Sequence, residues 1–376
     1  MIKKRARLIG GLVLIGLVLA GCSTKGSSKK ATSSQTVKSS SKVSKSSKTT
    51  STSKSTKAET IHLTFMGDNT LGTDVKFNSA TSLPTVWAQH NNDPHYFFKN
   101  VEQYFQNDDL TIANLETTLT TSDQQADKGT GRVFHFKGNP QIAKALTASS
   151  IEAVTVSNNH IMDYGQQGFD DTIKTLKENK IGYFGEGYLY AHTVKGVKFG
   201  FLGYQGWTAT SADKKKIRDN IKKLREHGCQ IVIPYFHWGI ERDAYPNDTQ
   251  KTLAHYAIDH GADMVIGSHP HVIQSMELYK GKLIAYSMSN FTFGGNSNPS
   301  DMRSFILQTD LTVQDQKVTA AKFRVIPTRI SSTAAYNDYQ PTPYTGSEAT
   351  TVLKYMNSLS PTFNNRISNS FVGIDK

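Results

Sequence analysis

A chain of 376 residues that is 37% hydrophobic and 20% charged is globular in composition and long enough for a large core, and its two cysteines exclude a disulfide-stapled scaffold. The formal net charge of +12 misleads until it is divided: thirteen of the 43 basic residues and none of the 31 acidic ones precede Glu59, leaving 30 against 31 in the rest. A near-neutral folded part has no electrostatic footprint for nucleic acid, which is therefore not an expected partner.

Residues 1–22 read as a secretory signal, with Lys3, Lys4, Arg5 and Arg7 ahead of an apolar run from Leu8 to Leu19 that is too short for a comfortable membrane span. The run closes in Leu19-Ala20-Gly21-Cys22, which resembles the bacterial lipobox. That resemblance implies lipidation of Cys22 and a protein anchored on the extracytoplasmic face of the cell membrane. Residues 23–58 are a Ser/Thr/Lys tract without carboxylate or aromatic side chains, which cannot bury enough apolar surface to fold. As a tether it would reach on the order of 35 Å, its charge either leaning on anionic lipid or wall polymer or simply solvated. With Cys22 assigned, Cys229 has no intramolecular partner; beside the apolar run Ile231 to Pro234 it is expected in the core.

The folded domain is expected over residues 59–330. Five strand-like runs lie along it: Ile61 to Met66, Leu110 to Ala113, Ala153 to Val156, Ile231 to Phe236 and Met264 to Gly267. Each closes in Asp, Asn, Glu or His. Helical patterns at Gln166 to Asn179, Asp213 to His227 and Thr249 to His260 alternate with them, the signature of βαβ units. In the middle helix Ile217, Ile221 and Leu224 are spaced four and three apart, which predicts one buried face. Hairpins are expected at Lys195-Gly196, at Lys280-Gly281 and near Gln314-Asp315. Antiparallel ribbons among βαβ units predict an α/β fold of two mixed sheets flanked by helices. Residues 331–376, with a short helical pattern at Glu348 to Leu359, are expected as a decorating extension, and the Asp108-Asp109 pair as a turn on a solvated face.

Ligands bind outside the carboxyl ends of strands in open α/β sheets, and those ends here carry Asp68, Asn114, Glu116, Asn158, Asn159, His160, Asp163, His237, Glu241, His269 and His271. A buried carboxylate or imidazole without a partner is costly, and a divalent cation satisfies several at once. The mixed nitrogen and oxygen set suits one or two ions of Mn, Fe or Zn in an open site rather than a cysteine-held structural zinc. Bland alternatives exist for single members: Asn158 and Asn159 as caps of the following turn, His237 as a core histidine, Trp238 as packing. The His-Pro-His group resists such a reading, because Pro270 fixes the spacing of two imidazoles in a glycine-led loop.

Gly67-Asp68, Asn114-Leu115-Glu116, SNNHIMDYGQQGFDDTIKTL, HWGIE, GADMVIGSHPHVIQ and YKGKLIAYSMSNF, in this order, resemble the CapA family of poly-γ-glutamate capsule synthesis over about Thr60 to Phe293. The resemblance implies a four-layer sandwich similar to the calcineurin-like metallophosphatases. It implies metal ligation by Asp68, Glu116, Asn159, His237, His269 and His271, with His160 similar to the acid that protonates a leaving group. Asp163 and Glu241 would then orient imidazoles through their second nitrogens. The chain departs from the metallophosphatase pattern at Thr70, where a histidine is usual, and at Glu116 in place of aspartate. It departs from the CapA pattern at Thr70, where Met is common, and at Ser289, usually glycine.

Three functions follow as expectations. The first is a membrane-tethered metal-dependent hydrolase of an anionic envelope polymer or a phosphoester. The second is a non-catalytic, polymer-binding component of a membrane synthesis and export complex, favoured by Thr70. The third, a lipoprotein that binds a small ligand, leaves so many ligand-type residues at strand ends unexplained.

Overall fold

The computed structural model describes residues 58–131 and 133–374. The expected signal segment, Cys22 and nearly all of the tether lie outside these residues. Among the described residues no helix is long and apolar enough to cross a membrane.

The described residues form seventeen strands and seven α-helices, numbered along the chain. The larger sheet is built on β1 (Glu59–Thr70), which runs parallel to β2 (Leu110–Leu115), with β5 (Ala153–Thr155) and β6 (Gly182–Phe184) beyond it. On its other edge β1 pairs with β13 (Asn290–Phe293) and antiparallel with β14 (Arg303–Gln314), which pairs with β15 (Lys317–Arg329). The second sheet has the order β11 (Met276–Tyr279), β12 (Lys282–Ala285), β10 (Met264–Ser268), β9 (Ile231–Trp238), β8 (Val197–Gly206) and β7 (Leu189–Val194). A two-stranded ribbon joins β3 (Thr118–Leu119) to β4 (Lys137–Gly138).

Side-chain alternation along the strands sorts the core into layers. From β1, Ile61, Leu63 and Phe65 meet Phe199 and Phe201 of β8, Ile231, Ile233 and Tyr235 of β9 and Ile266 of β10 between the two sheets. The opposite face of the larger sheet presents Met66, Ala113, Leu115 and Val154 to α3 (Ala143–Ala148) and α4 (Gly165–Glu178). The outer face of the second sheet presents Val232, Phe236, Trp238 and Val265 to α5 (Ser211–Glu226) and α6 (Asp248–Asp259), where Ile217, Ile221 and Leu224 are buried as their spacing predicts. This is the expected arrangement of two mixed sheets flanked by helices. Capping boxes at Thr210 with Asp213 and at Asn247 with Gln250 start α5 and α6, each satisfying two otherwise orphaned amide donors.

Two expectations fail. The segment beyond Arg329 is no decoration: in α7 (Gly346–Leu359) Val352 and Met356, followed by Phe363 and Ile367, complete the core between the sheets. Strands β16 (Thr342–Pro343) and β17 (Val372–Gly373) extend the larger sheet from β15. The polar composition of this segment hides its well-spaced core residues. Asp108 keeps the expected turn before β2, with Asp109, but is half-buried rather than on a fully solvated face. Burial raises its pKa to about 7, and although Oδ2 accepts from Thr111 Oγ1 at 2.7 Å, Oδ1 is buried without a hydrogen bond.

Candidate metal centre

Strand register brings the expected residues together. In the larger sheet Asp68 of β1 stands level with Asn114 of β2 on one side and Asn290 of β13 on the other. In the second sheet His237 of β9 stands level with Ser268 of β10. Both sheets present these carboxyl ends to one cleft. The close approach of β13 requires Gly67, because a Cβ there would lie 1.9 Å from the carbonyl oxygen of Ser289, which accepts from Asp68 N at 3.0 Å.

Asp68, Glu116 and His237 have no solvent exposure. Asp68 Oδ1 accepts from Asn114 Nδ2 at 2.7 Å and Oδ2 from the His269 amide at 3.1 Å, and Oδ2 lies 3.5 Å from His271 Nδ1. His237 Nε2 faces Asn159 Oδ1 at 2.6 Å, His269 Nδ1 at 3.0 Å and Glu116 Oε1 at 3.3 Å. Two groups of ligand atoms each fall within 4.8 Å of one another, Glu116 with His237 and His269, and Asp68 with Glu116 and His271. Glu116 is common to both. Its Oε1 takes no hydrogen bond, and its Oε2 has Thr70 Oγ1 at the long distance of 3.5 Å. A fully buried carboxylate with an orphaned oxygen, facing imidazole nitrogens, is an arrangement that a divalent cation would satisfy. The residues present fit one or two divalent cations.

The protonation states agree with that fit. Burial alone would push the Asp68 carboxyl up, yet hydrogen bonding from His271, the charges of His237 and His271 and the Asn114 amide hold it well below the usual carboxylate range. Burial, reinforced by His237 and His271, lowers the His269 pKa to about 2 and keeps that imidazole neutral. Burial acts the same way on His271 but is outweighed by Glu116 and Asp68, which raise it to about 9. An ionised carboxylate and a neutral imidazole are ligand forms; His271 must release a proton before it can ligate. The His-Pro-His loop holds His269 at φ 99° and His271 at φ 58°, left-handed backbone that costs of order 1–3 kcal/mol per residue and is maintained by the packing around it.

Beside the carboxylates lies an imidazole–carboxylate pair. His160 Nδ1 donates to Asp163 Oδ2 at 2.7 Å, which fixes the tautomer, because an ionised carboxylate only accepts. Asp163 is fully buried; it also accepts from Phe136 N at 2.6 Å and from Lys128 Nζ at 2.5 Å. The second nitrogen of His160 is left for the cleft, in a cavity of about 380 Å³ that His160 lines together with Phe136, Glu241, Arg242, His271 and Asn290. Glu241 departs from expectation. It is exposed at the cavity rim, where its charge helps raise the His271 pKa, but among the described residues it makes no hydrogen bond to an imidazole. Asn158 serves as a brace: its Nδ2 donates to Asn114 Oδ1 and Leu115 O, and its Oδ1 accepts from His160 N.

Several contributors have roles that the sequence does not assign. Asn114 holds Asp68, and Asn290 Oδ1 lies 2.8 Å from His271 Nδ1; both stand inside motifs that were noticed. Trp207, 43% exposed, points its ring edge-to-face at His269 with centroids 4.7 Å apart. It directly follows β8, as Glu116 follows β2 and His269 follows β10, and its apolar character conceals the parallel. Phe136, 4.3 Å from His160 between ring centroids, and Lys128 came from a loop without sequence pattern. Thr70 and Ser289 have structural roles: the Thr70 hydroxyl faces Glu116 Oε2, and Ser289 occupies φ 65°, where glycine is the unstrained choice.

Comparison with known proteins adds an independent line. The family profile described as "Bacterial capsule synthesis protein PGA_cap" matches residues 62–295. The chain is similar to the capsule biosynthesis protein CapA of Bacillus anthracis, 29% identical over 262 residues, covering 64% of this chain and 61% of that protein. It is similar to the PGA biosynthesis protein CapA of Bacillus subtilis (strain 168), 31% identical over 262 residues, 64% of this chain and 65% of that protein. A probable polyglutamine synthesis accessory protein of Mycobacterium tuberculosis is 25% identical over 255 residues, 59% of this chain and 66% of that protein. The chain thus spans somewhat under two thirds of the length of the two Bacillus relatives. Among solved structures it is similar to a hypothetical protein from Thermus thermophilus, with 17% identity, TM-score 0.41 and coverage of 71% of this chain and 99% of that one. A novel phosphatase of Mycoplasma pneumoniae shows 14% identity, TM-score 0.43 and coverage of 72% and 95%.

Proposed function

The chain belongs to the bacterial capsule synthesis PGA_cap family, and from that premise we propose that it acts in making a poly-glutamate-type surface polymer, as a metal-dependent hydrolase. Its substrate in this reading is an anionic polymer or a phosphoester, and Cys22 anchors it by lipid to the outer face of the cell membrane. The observation that carries the proposal is the position of Glu116, buried, orphaned at Oε1 and common to two ligand groups. The ligand set is Asp68, Glu116 and His271 on one side and Glu116, His237 and His269, with Asn159, on the other. One or two divalent cations held there would supply Lewis-acid charge and lower the pKa of a bound water.

The chain's own residues do the rest. Asn114 and the His269 amide hold Asp68 in one orientation before any substrate arrives. Asp163 keeps the proton of His160 on Nδ1, so the other nitrogen, once protonated, can donate to a departing oxygen. Trp207 and Phe136 cover the imidazoles and keep bulk water from them. One observation favours the non-catalytic reading: Thr70 offers a weak hydroxyl donor to Glu116 where metallophosphatases carry histidine.

The test is metal content and phosphodiester turnover on one sample of the protein purified without chelator. Bound transition metal with turnover that disappears in His269→Ala supports the hydrolase. A protein that takes up no metal and turns nothing over, while still binding anionic polymer, establishes the second reading.

A further inference from the structure

Phenylalanines form one wall of the cleft in a way that a metal centre for an acidic polymer does not require. Phe77, Phe134 and Phe136 lie nearly parallel: Phe77 and Phe134 have centroids 5.2 Å apart at 16°, Phe134 and Phe136 6.0 Å at 4°, and Phe77 and Phe136 6.2 Å at 12°. Phe77 and Phe134 are offset-stacked and partly cover one another, with Phe136 parallel beside them and Lys76 Nζ 5.8 Å over the Phe134 ring. All three line the cavity that contains His160, His271, Asn290 and Arg242. The phenyl wall is tied to the catalytic side by the backbone, since Phe136 N donates to the same Asp163 oxygen that receives His160 Nδ1. At the rim Arg242 is exposed, in a lining that also holds Glu241 and Asp301.

A saturated polycarboxylate gains nothing from phenyl rings, whereas a planar ring gains stacking energy. We propose that the Phe77, Phe134 and Phe136 wall is a subsite for a planar ring on the leaving side of a phosphoester, with Arg242 taking up polar or anionic groups at its edge. The proposal rests on the reading of His160 as the group facing the leaving oxygen. The ring could belong to a nucleoside or to a simple aryl ester. A cavity of about 380 Å³ is of the size that takes a whole small molecule rather than one phenyl group, which favours the nucleoside.

Calorimetric binding to the manganese-loaded full chain tests this without relying on turnover. Adenosine 5′-monophosphate and ribose 5-phosphate share the phosphate and the leaving alcohol and differ only in the base, and phenyl phosphate against methyl phosphate isolates an aryl ring. The nucleotide is expected to bind at least tenfold more tightly than ribose 5-phosphate. In Phe77→Ala combined with Phe134→Leu that ratio is expected to fall to about twofold, with ribose 5-phosphate unaffected. Phe77→Leu, which keeps apolar volume but loses the ring, serves if the double variant does not fold. A preference for phenyl phosphate alone keeps the subsite and assigns it to aryl esters. Equal binding of ring-bearing and ringless esters, no binding of any, or a preference untouched by the variants overturns it. Turnover measured on the same samples separates the two claims: ring preference without turnover leaves the subsite standing and removes the hydrolase, and turnover without ring preference does the reverse.

Discussion

Replacing Glu116 by Gln changes one atom and one charge, and its effect should depend on metal. In the metal-free protein the Glu116 carboxylate is fully buried, with Oε1 lacking a hydrogen bond and Oε2 only 3.5 Å from a hydroxyl. An unsatisfied buried polar group costs about 1–3 kcal/mol, more when charged, so neutralising it is favourable. Against this, Glu116 is the largest attractive contribution to the raised His271 pKa of about 9, and Gln forfeits that attraction. The two effects oppose, and we expect the variant within about 1 kcal/mol of the parent in chelator. With metal at a hundred times its dissociation constant, each occupied site adds about 2.7 kcal/mol to the parent. Gln, a poor ligand shared by both groups, loses that gain at each site. Paired urea melts with and without manganese, together with metal counts per chain, measure both quantities. A deficit of equal size in chelator and in manganese, or undiminished metal per chain in the variant, would refute the argument and make Glu116 a structural carboxylate.

Two further outcomes follow from buried carboxyls. Asp108, raised from 3.8 to about 7 by burial, holds its proton in the folded state between about pH 4 and 7 while the unfolded chain has released it. The stability it contributes is therefore present below about pH 4 and lost as pH rises to about 7, with a ceiling of about 4 kcal/mol at 1.36 kcal/mol per unit. Asp108→Asn should flatten that slope and raise the melting temperature at pH 8 but not at pH 4; parallel curves for the two proteins would show that Asp108 does not titrate there. Asp163→Asn leaves Lys128 without its carboxylate and frees the His160 tautomer, so we expect a stability loss approaching the 3–5 kcal/mol typical of a broken buried pair. Turnover should fall by about a hundredfold or more, and a kcat equal to that of the parent would remove His160 from the proton transfer.

Much of this architecture could be read from the chain because local chemistry and fold agreed. The turns at Lys195-Gly196 and Lys280-Gly281 both adopt positive φ, as two-residue hairpin loops require, and the alternation of Ile61, Leu63 and Phe65 does place one face between the sheets. The third hairpin turns one residue later than Gln314-Asp315 suggested, with Asp315 and Gln316 both at positive φ. Residues that touch through registry, Asp68 with Asn114 and His237 with Ser268, were visible as polar strand ends. What stayed hidden depends on contacts across the fold. Glu241 lies four residues past His237 in a promising motif but stands at the exposed rim, where it reaches His271 by charge and not by a hydrogen bond; Phe77, Phe136 and Lys128 lie in unpatterned loops and reach the cleft only in three dimensions. The tail concealed Val352, Met356, Phe363 and Ile367 among polar neighbours.

The position of β1 has a consequence for how the chain comes to exist. Its first described strand is the centre of the larger sheet, and one whole edge of it, from Glu59 to Thr70, is covered only by β13 and β14. At ribosomal speeds of roughly 5–20 residues per second, β1 emerges on the order of ten seconds to a minute before those partners. During that interval Ile61, Leu63 and Phe65 sit on an open strand edge, a ready template for pairing with another chain. A product broken off near Pro299 would retain Asp68, Glu116 and all three imidazoles of the centre, yet it would lack β14 and the tail that closes the core. Such a fragment should associate with its own copies sooner than it collects metal.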